Sequence, residues 1–132
     1  MLGGAEDLSF NTSGWQPRDG VNFARVLPFC TNLENLLLMS NFIGDEGCTA
    51  IAEAVSQGAL PKLKGLAIAN NEIGDAGCRA LAAAIRAGAL PALTVMGFHH
   101  VDDPAYRNLA GDEARAELRE ACKARRVKTI SC

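Results

Sequence analysis

Aromatic residues are scarce in this chain, at 5 % of its 132 positions. A core with so few large rings must be built from Leu, Ile, Val and Ala. Such a core suits thin, closely stacked elements. Neither sign of charge is in excess, and the formal net charge is −2. Nucleic-acid binding usually needs a strongly basic patch, so no nucleic-acid partner is expected. No uninterrupted apolar run approaches the roughly 18 residues that cross a bilayer, so no membrane span is expected. The N-terminal MLGGAEDLSF lacks the basic start and apolar stretch of a secretory signal.

Cys-x-x-Cys spacing is also missing. The five cysteines, Cys30, Cys48, Cys78, Cys122 and Cys132, are odd in number. They read as reduced thiols in an intracellular, cytoplasmic compartment, the buried ones serving as small hydrophobes. His99 and His100 are the only histidines. Adjacent strand residues point to opposite sides, so the pair cannot share one metal ion. The GDEG and GDAG turns place an acid where a phosphate would sit, and no Lys follows. Ser40, Ser56 and the cysteines have no His-and-carboxylate setting for nucleophilic catalysis. The expectation is a protein without metal or cofactor, and not an enzyme.

What the chain does have is a repeat. The stretch from Leu33, LENLLLMSNFIGDEGCTAIAEAVSQGALPK, recurs 30 residues later from Leu63 as LKGLAIANNEIGDAGCRALAAAIRAGALPA, with half the positions identical. Leu33, Leu36, Leu38, Asn41, Ile43, Gly44, Asp45, Gly47 and Cys48 map onto Leu63, Leu66, Ile68, Asn71, Ile73, Gly74, Asp75, Gly77 and Cys78. In each copy the apolar period changes abruptly. Leu66 and Ile68 alternate with small residues, as on a short strand with one buried face. Leu81 and Ile85 recur at helical spacing beside Ala80 and Ala84, giving a narrow apolar stripe. Between them, Asn71 is placed to satisfy backbone groups left open by a sharp turn. Gly74 and Gly77 are expected to permit that turn, and Asp75 to cap the helix it begins. Gly88 and Pro91 end the helix. Asp45, Asp75, Cys48 and Cys78 repeat with the turn, which marks them as structural.

The frame L-x-x-L-x-L-x-x-N, followed by IGDEG or IGDAG and an Ala-rich helix, resembles a leucine-rich repeat, and in particular the ribonuclease-inhibitor-like subtype. The resemblance implies an α/β solenoid, a horseshoe arc with parallel strands on the concave face and helices on the convex face. Weaker copies flank the two clear ones. Upstream, Leu8 and Phe10 take the inward strand positions, Ser13 stands where Asn should be, and Trp15 replaces Ile43. Downstream, Leu93, Met96 and Phe98 face inward, Val101 replaces the Asn, and DDPAYRNLAG inserts about seven residues on the usual repeat length. A charged helix then runs from near Asp112 to Arg126, with Leu118 and Cys122 as its buried stripe. Val127 and Ile130 match Leu90 and Leu93 as the start of a further strand. The whole chain, 1–132, thus reads as one domain of about four repeats, near 5–32, 33–62, 63–92 and 93–126, with a last strand begun in 127–132. It reads as a C-terminal piece of a longer array, or as a subunit whose first strand a partner covers, since an open strand edge invites pairing.

Lys123, Arg125, Arg126 and Lys128 form a basic run. Glu113, Glu117 and Glu120 balance it on the same helix, and cations near a helix C-terminus suit its dipole.

The candidate functional surface is what the leucine frame leaves outside. If Leu36 and Leu38 point in, Asn35, Leu37 and Met39 point out. Their equivalents are Gly65, Ala67 and Ala69, then Val95, Gly97 and His99, then Asp7, Ser9 and Asn11. That face is small and apolar, and contiguous exposed apolar surface on a solenoid often marks an interface. The function expected is a non-catalytic protein-interaction or scaffolding module within a larger assembly. An alternative is a regulator of a small GTPase, because the repeat type is similar to that of the Ran GTPase-activating proteins. That family has a longer array and an acidic tail, whereas this chain ends in the basic KARRVK region. Ribonuclease inhibition is a further resemblance, but those inhibitors use an acidic, aromatic-bearing face.

Overall fold

A computed structural model describes residues 4–98 and 108–130. Along the chain run β1 (Asp7–Ser9), α1 (Pro17–Val26), β2 (Asn35–Leu37), α2 (Gly44–Ser56), β3 (Gly65–Ala67), α3 (Asp75–Arg86), β4 (Val95–Gly97), α4 (Asp112–Ala124) and β5 (Lys128–Ile130). A short 3-10 turn, Leu27–Phe29, follows α1. Each strand has only three residues and cannot persist alone. The five pair in parallel in chain order, as the solenoid reading requires. Equivalent residues face one another, so Leu8, Leu36, Leu66, Met96 and Thr129 form one row across the sheet.

The core lies between this sheet and the helices. Leu36, Leu38, Leu66, Ile68, Met96 and Phe98 reach it from the strands, and all are buried. Ile51, Val55, Leu81, Ile85, Leu118 and Cys122 meet them from α2, α3 and α4. Three of the few aromatics cluster in the first repeat. Trp15 stacks on Phe10 at 4.9 Å and meets Phe23 edge-on at 5.1 Å. Their stacked and edge-on contacts add large apolar area to the core between β1 and α1.

Buried asparagines join the repeats. Asn71 Nδ2 donates to the carbonyls of Leu38 at 2.7 Å and Ile68 at 3.2 Å. Asn41 Nδ2 donates likewise to Phe10 and Leu38 at 2.9 and 3.1 Å, while its Oδ1 accepts from Ser13 and Trp15 N–H. The ladder continues into the fourth repeat, contrary to the expectation that Val101 ends it. Asn108 Oδ1 accepts from Asn71 N–H at 2.8 Å and Ile73 N–H at 3.0 Å. Its Nδ2 donates to Ile68 and Phe98 carbonyls. The extra residues therefore lie between the strand and its asparagine. Val101, His100 and most of the insertion fall outside the described residues.

The helix caps also differ from expectation. Asp45 and Asp75 do not cap the helices they begin. Asp45 Oδ1 accepts from Gly74 N–H at 2.9 Å and Gly77 N–H at 2.6 Å, so it caps α3, one repeat on. Asp75 Oδ1 accepts from Gly111 N–H at 2.7 Å, at the start of α4. The physical reason is stacking, which brings each carboxylate over the open N-terminus of the next helix, where negative charge is favoured. This also revises the role of two glycines. Gly74 has φ −93°, which needs no glycine. A Cβ at Gly77 would lie 2.8 Å from Asp45 Oδ1 and 3.1 Å from Cys48 Cβ. Close approach of the helices, more than turning, demands glycine at that position.

Cys48 and Cys78 are buried as expected, and each thiol donates to the next repeat. Cys48 Sγ lies 3.4 Å from the Gly77 carbonyl and Cys78 Sγ 3.3 Å from that of Ala114. Burial, reinforced by Cys78 and Asp45, pushes the Cys48 thiol far above its ordinary pKa. Thiolate chemistry is thereby suppressed.

The last repeat departs most from the sequence reading. Lys128 pairs with Val95, which sets Ile130 opposite Gly97 and not in the place of Leu93. The link from α4 to β5 is shorter than its predecessors, so Ile130 faces outward and is exposed. The basic run is likewise not merely a solvated face. Arg125 Nη1 donates to the Ile85 carbonyl at 3.0 Å and to that of Ala89, and Nη2 to that of Leu90 at 2.7 Å. It closes the C-terminal end of α3, whose carbonyls have no partners within the helix.

Replacing Asn108 with Ala should cost at least about 2 kcal/mol, because it strands several buried backbone groups. Asn70 offers the contrast: its Oδ1 has no partner among the described residues and its φ is +57°. Asn70→Gly should change stability by less than about 1 kcal/mol, since glycine suits that backbone. Urea unfolding of both variants checks the pair. Iodoacetamide at pH 8 should leave Cys48 and Cys78 unmodified in the native protein and alkylate both in denaturant. Peptide mass mapping reads the outcome, and rapid native labelling of Cys48 would contradict its burial.

Candidate protein-docking face

The outward face of the sheet is set by strand alternation. With Leu36, Leu66 and Met96 turned into the core, their chain neighbours must turn away. Register then aligns those neighbours in rows. The first row is Asp7, Asn35, Gly65, Val95 and Lys128; the second is Ser9, Leu37, Ala67, Gly97 and Ile130. Asn35 is exposed, while Leu37, Met39, Gly65, Ala67, Val95 and Gly97 are half-buried. The predicted site residues of β2, β3 and β4 are therefore brought together on one surface.

Two of the predicted residues stand apart. Ala69 is only 4 % exposed, so it adds almost nothing to the accessible face. Its neighbour Asn70 turns into the left-handed region, and the chain leaves the sheet plane there. His99 lies outside the described residues.

A depression of about 380 Å³ opens on this face, with Leu37, Met39, Gly65, Ala67, Gly97 and Ile130 among its lining residues. Lys64 and Thr94 border it at the N-terminal ends of the strands. Ile130 was missed at sequence level because its register depends on the shortened link after α4. Lys64 was missed because it precedes the strand.

Polar groups fix one edge of the face. Asn35 Nδ2 donates to Asp7 Oδ1 at 2.7 Å. A Cβ at Gly65 would sit 2.7 Å from Asn35 Oδ1, so the Asn35 side chain leans over Gly65. Lys64 Nζ lies 2.5 Å from Glu34 Oε1. That hydrogen bond, and then the charge of Glu34, hold the Lys64 ammonium above its usual range. The Lys64 side chain is largely in water and that of Glu34 about one-third exposed, so the pair orients the rim more than it stabilises the fold.

Depressions also occur on the helical side, one of about 380 Å³ between α2 and α3. Another of about 290 Å³ lies between α1 and α2. They recur from pair to pair because alanines line the helix flanks, as Ala50 and Ala54 do in one and Ala80 and Ala83 in the other. They follow from narrow helix faces, and Glu53 and Gln57 line both. No helix among the described residues is long and apolar enough to cross a membrane.

Comparison with known proteins bears on the fold. The leucine-rich-repeat family model matches residues 29–52 and 59–82, the two clear copies. No curated protein matches the chain in sequence. Among solved structures, leiomodin-1 actin-binding site 2 is similar with a TM-score of 0.75 at 20 % identity, over 96 % of this chain and 70 % of that one. At that identity the likeness is one of fold. Family model, solved structure and the stacked strand–turn–helix units agree: the chain folds as a leucine-rich-repeat solenoid.

Proposed function

We propose that this chain is a non-catalytic protein-interaction module that docks a protein partner on the outward face of its sheet. The observation that carries the reading is the apolar depression there, with Leu37, Met39 and Ile130 at its sides and Gly65, Ala67 and Gly97 on its floor. A soluble chain gains nothing from apolar groups held toward water, and a rigid sheet pre-organises them for a partner. Asn35 and Val95 extend the same surface. The fold is one that, in the leiomodin-1 structure, carries a site named for binding actin. That supports a protein as the class of partner, and actin enters as one candidate. The ribonuclease-inhibitor-like subtype, a scaffolding role in a larger cytoplasmic assembly, and the assignment of 1–132 as one domain complete the proposal.

The test is a paired substitution, Leu37→Asp with Met39→Asp, followed by affinity capture from native extract and direct binding to purified actin. Both side chains point away from the core, so the unfolding free energy should shift by no more than about 1 kcal/mol. Specific partners captured by the parent chain should be lost. If the variant unfolds, the two residues belong to the core and the reading falls; if it captures the same proteins, the face is not the interface. A GTP-hydrolysis assay with purified small GTPases separates the GTPase-regulator alternative, which requires stimulation by the parent chain.

A further inference from the structure

The second outward row reads large, small, small, large: Leu37, Ala67, Gly97 and Ile130 lie side by side on β2, β3, β4 and β5. Three strand spacings separate the two walls, about 14 Å in all. A helix with its side chains is about 10–12 Å wide. An added extended segment takes up about 5 Å, one strand spacing, and would leave one wall uncovered. In the second row the floor carries only the Ala67 methyl and no side chain at Gly97, which lets a helix or its bulky anchors approach closely there; in the first row Val95, and the Asn35 amide leaning over Gly65, stand at the N-terminal end of the trough. Between the first row and Met39 on the third, the trough spans about 13 Å along the strands, or just over two helical turns.

Charge gives the occupant a direction. Lys64 and Lys128 both stand at the N-terminal end of the trough. Glu34 already pairs with Lys64. Lys128 is exposed and has no ion-pair partner among the described residues. A helix C-terminus, which carries partial negative charge, or an acidic side chain near it, complements that corner.

Resting on the docking reading above, we propose that the partner inserts a short amphipathic helix. Its large apolar anchors, spaced i, i+3 or i+4, and i+7, fill the trough between Leu37 and Ile130. An acidic residue near its C-terminal end meets Lys128. This is the helix-in-groove mode of recognition, with a sheet as the groove.

Two displayed peptide libraries distinguish the outcomes. One varies the exposed face of a helix on a stable carrier bundle; the other presents extended, proline-containing segments. Both are panned against the full chain and against Leu37→Asp. The expected result is enrichment of helical clones with apolar anchors at that spacing and Asp or Glu near the C-terminal end, all dependent on Leu37. By fluorescence polarisation, Lys128→Glu should weaken the selected helices by up to about fivefold, the range of an exposed ion pair. Replacing the peptide's acid with Lys should restore that loss. Leu37-dependent extended clones would overturn the helical occupant and leave the docking face standing. Helical clones indifferent to Lys128 would overturn the assigned direction. Leu37-dependent self-association in sedimentation would make a second copy of the chain the occupant and overturn the proposal. Failure of both libraries to yield any Leu37-dependent clone would overturn the docking reading itself.

Discussion

The turns after β1, β2 and β3 leave backbone groups that find no partners within their own repeat. The buried asparagine of the following repeat supplies them. Asn71 donates to the Leu38 carbonyl, and Asn108 accepts from Asn71 and Ile73 N–H in turn. A buried backbone group left open costs about as much as several surface contacts gain. The turn conformation of one repeat is therefore conditional on the next. Strand register, the inward placement of the leucines and the composition of the outward face all depend on that condition.

Other bonds cross the same junctions in the opposite sense, from a repeat to the one after it. Asp45 and Asp75 cap the helix one repeat ahead, and the thiols of Cys48 and Cys78 donate to its first turn. Arg125, like the asparagines, reaches back one repeat and closes α3. Stability in such an array belongs to the junctions more than to the units. Side chains that look chemically active in the sequence are used up in these junctions. Residues with little chemistry of their own, Gly65, Ala67 and Gly97, are left to shape the exposed surface.

Much of this was legible in the sequence because period and position repeat together. Leu36 and Leu38 fix which side of the strand is buried, and alternation then assigns Asn35, Leu37 and Met39 to the other. The same logic placed Gly65, Ala67, Val95 and Gly97. It failed at Ala69, where the backbone turns away at Asn70 and alternation no longer describes exposure. It failed again where a repeat changes length. Asn108 is displaced by the insertion, so counting from the strand arrives at Val101. The missing residues before β5 shift Ile130 from an inward to an outward position. The direction of Asp45 capping was out of reach, because the partner that is nearest in sequence is not the one that is nearest in space.

The placement of Asn108 has a consequence for how the chain can vary. Asn108, the first described residue after the insertion, donates to the carbonyl of Phe98, the last described one before it, and accepts from the Asn71 and Ile73 N–H groups of the preceding repeat. The departure and the return are thus clamped at a single point. Whatever length of chain joins them, the solenoid on either side meets the same hydrogen-bonding pattern. Loop-closure entropy grows only slowly with length, by about 0.6 kcal/mol for each doubling. This junction is therefore a socket in the fold, a position where sequence can be added, exchanged or grafted while the stack keeps its geometry.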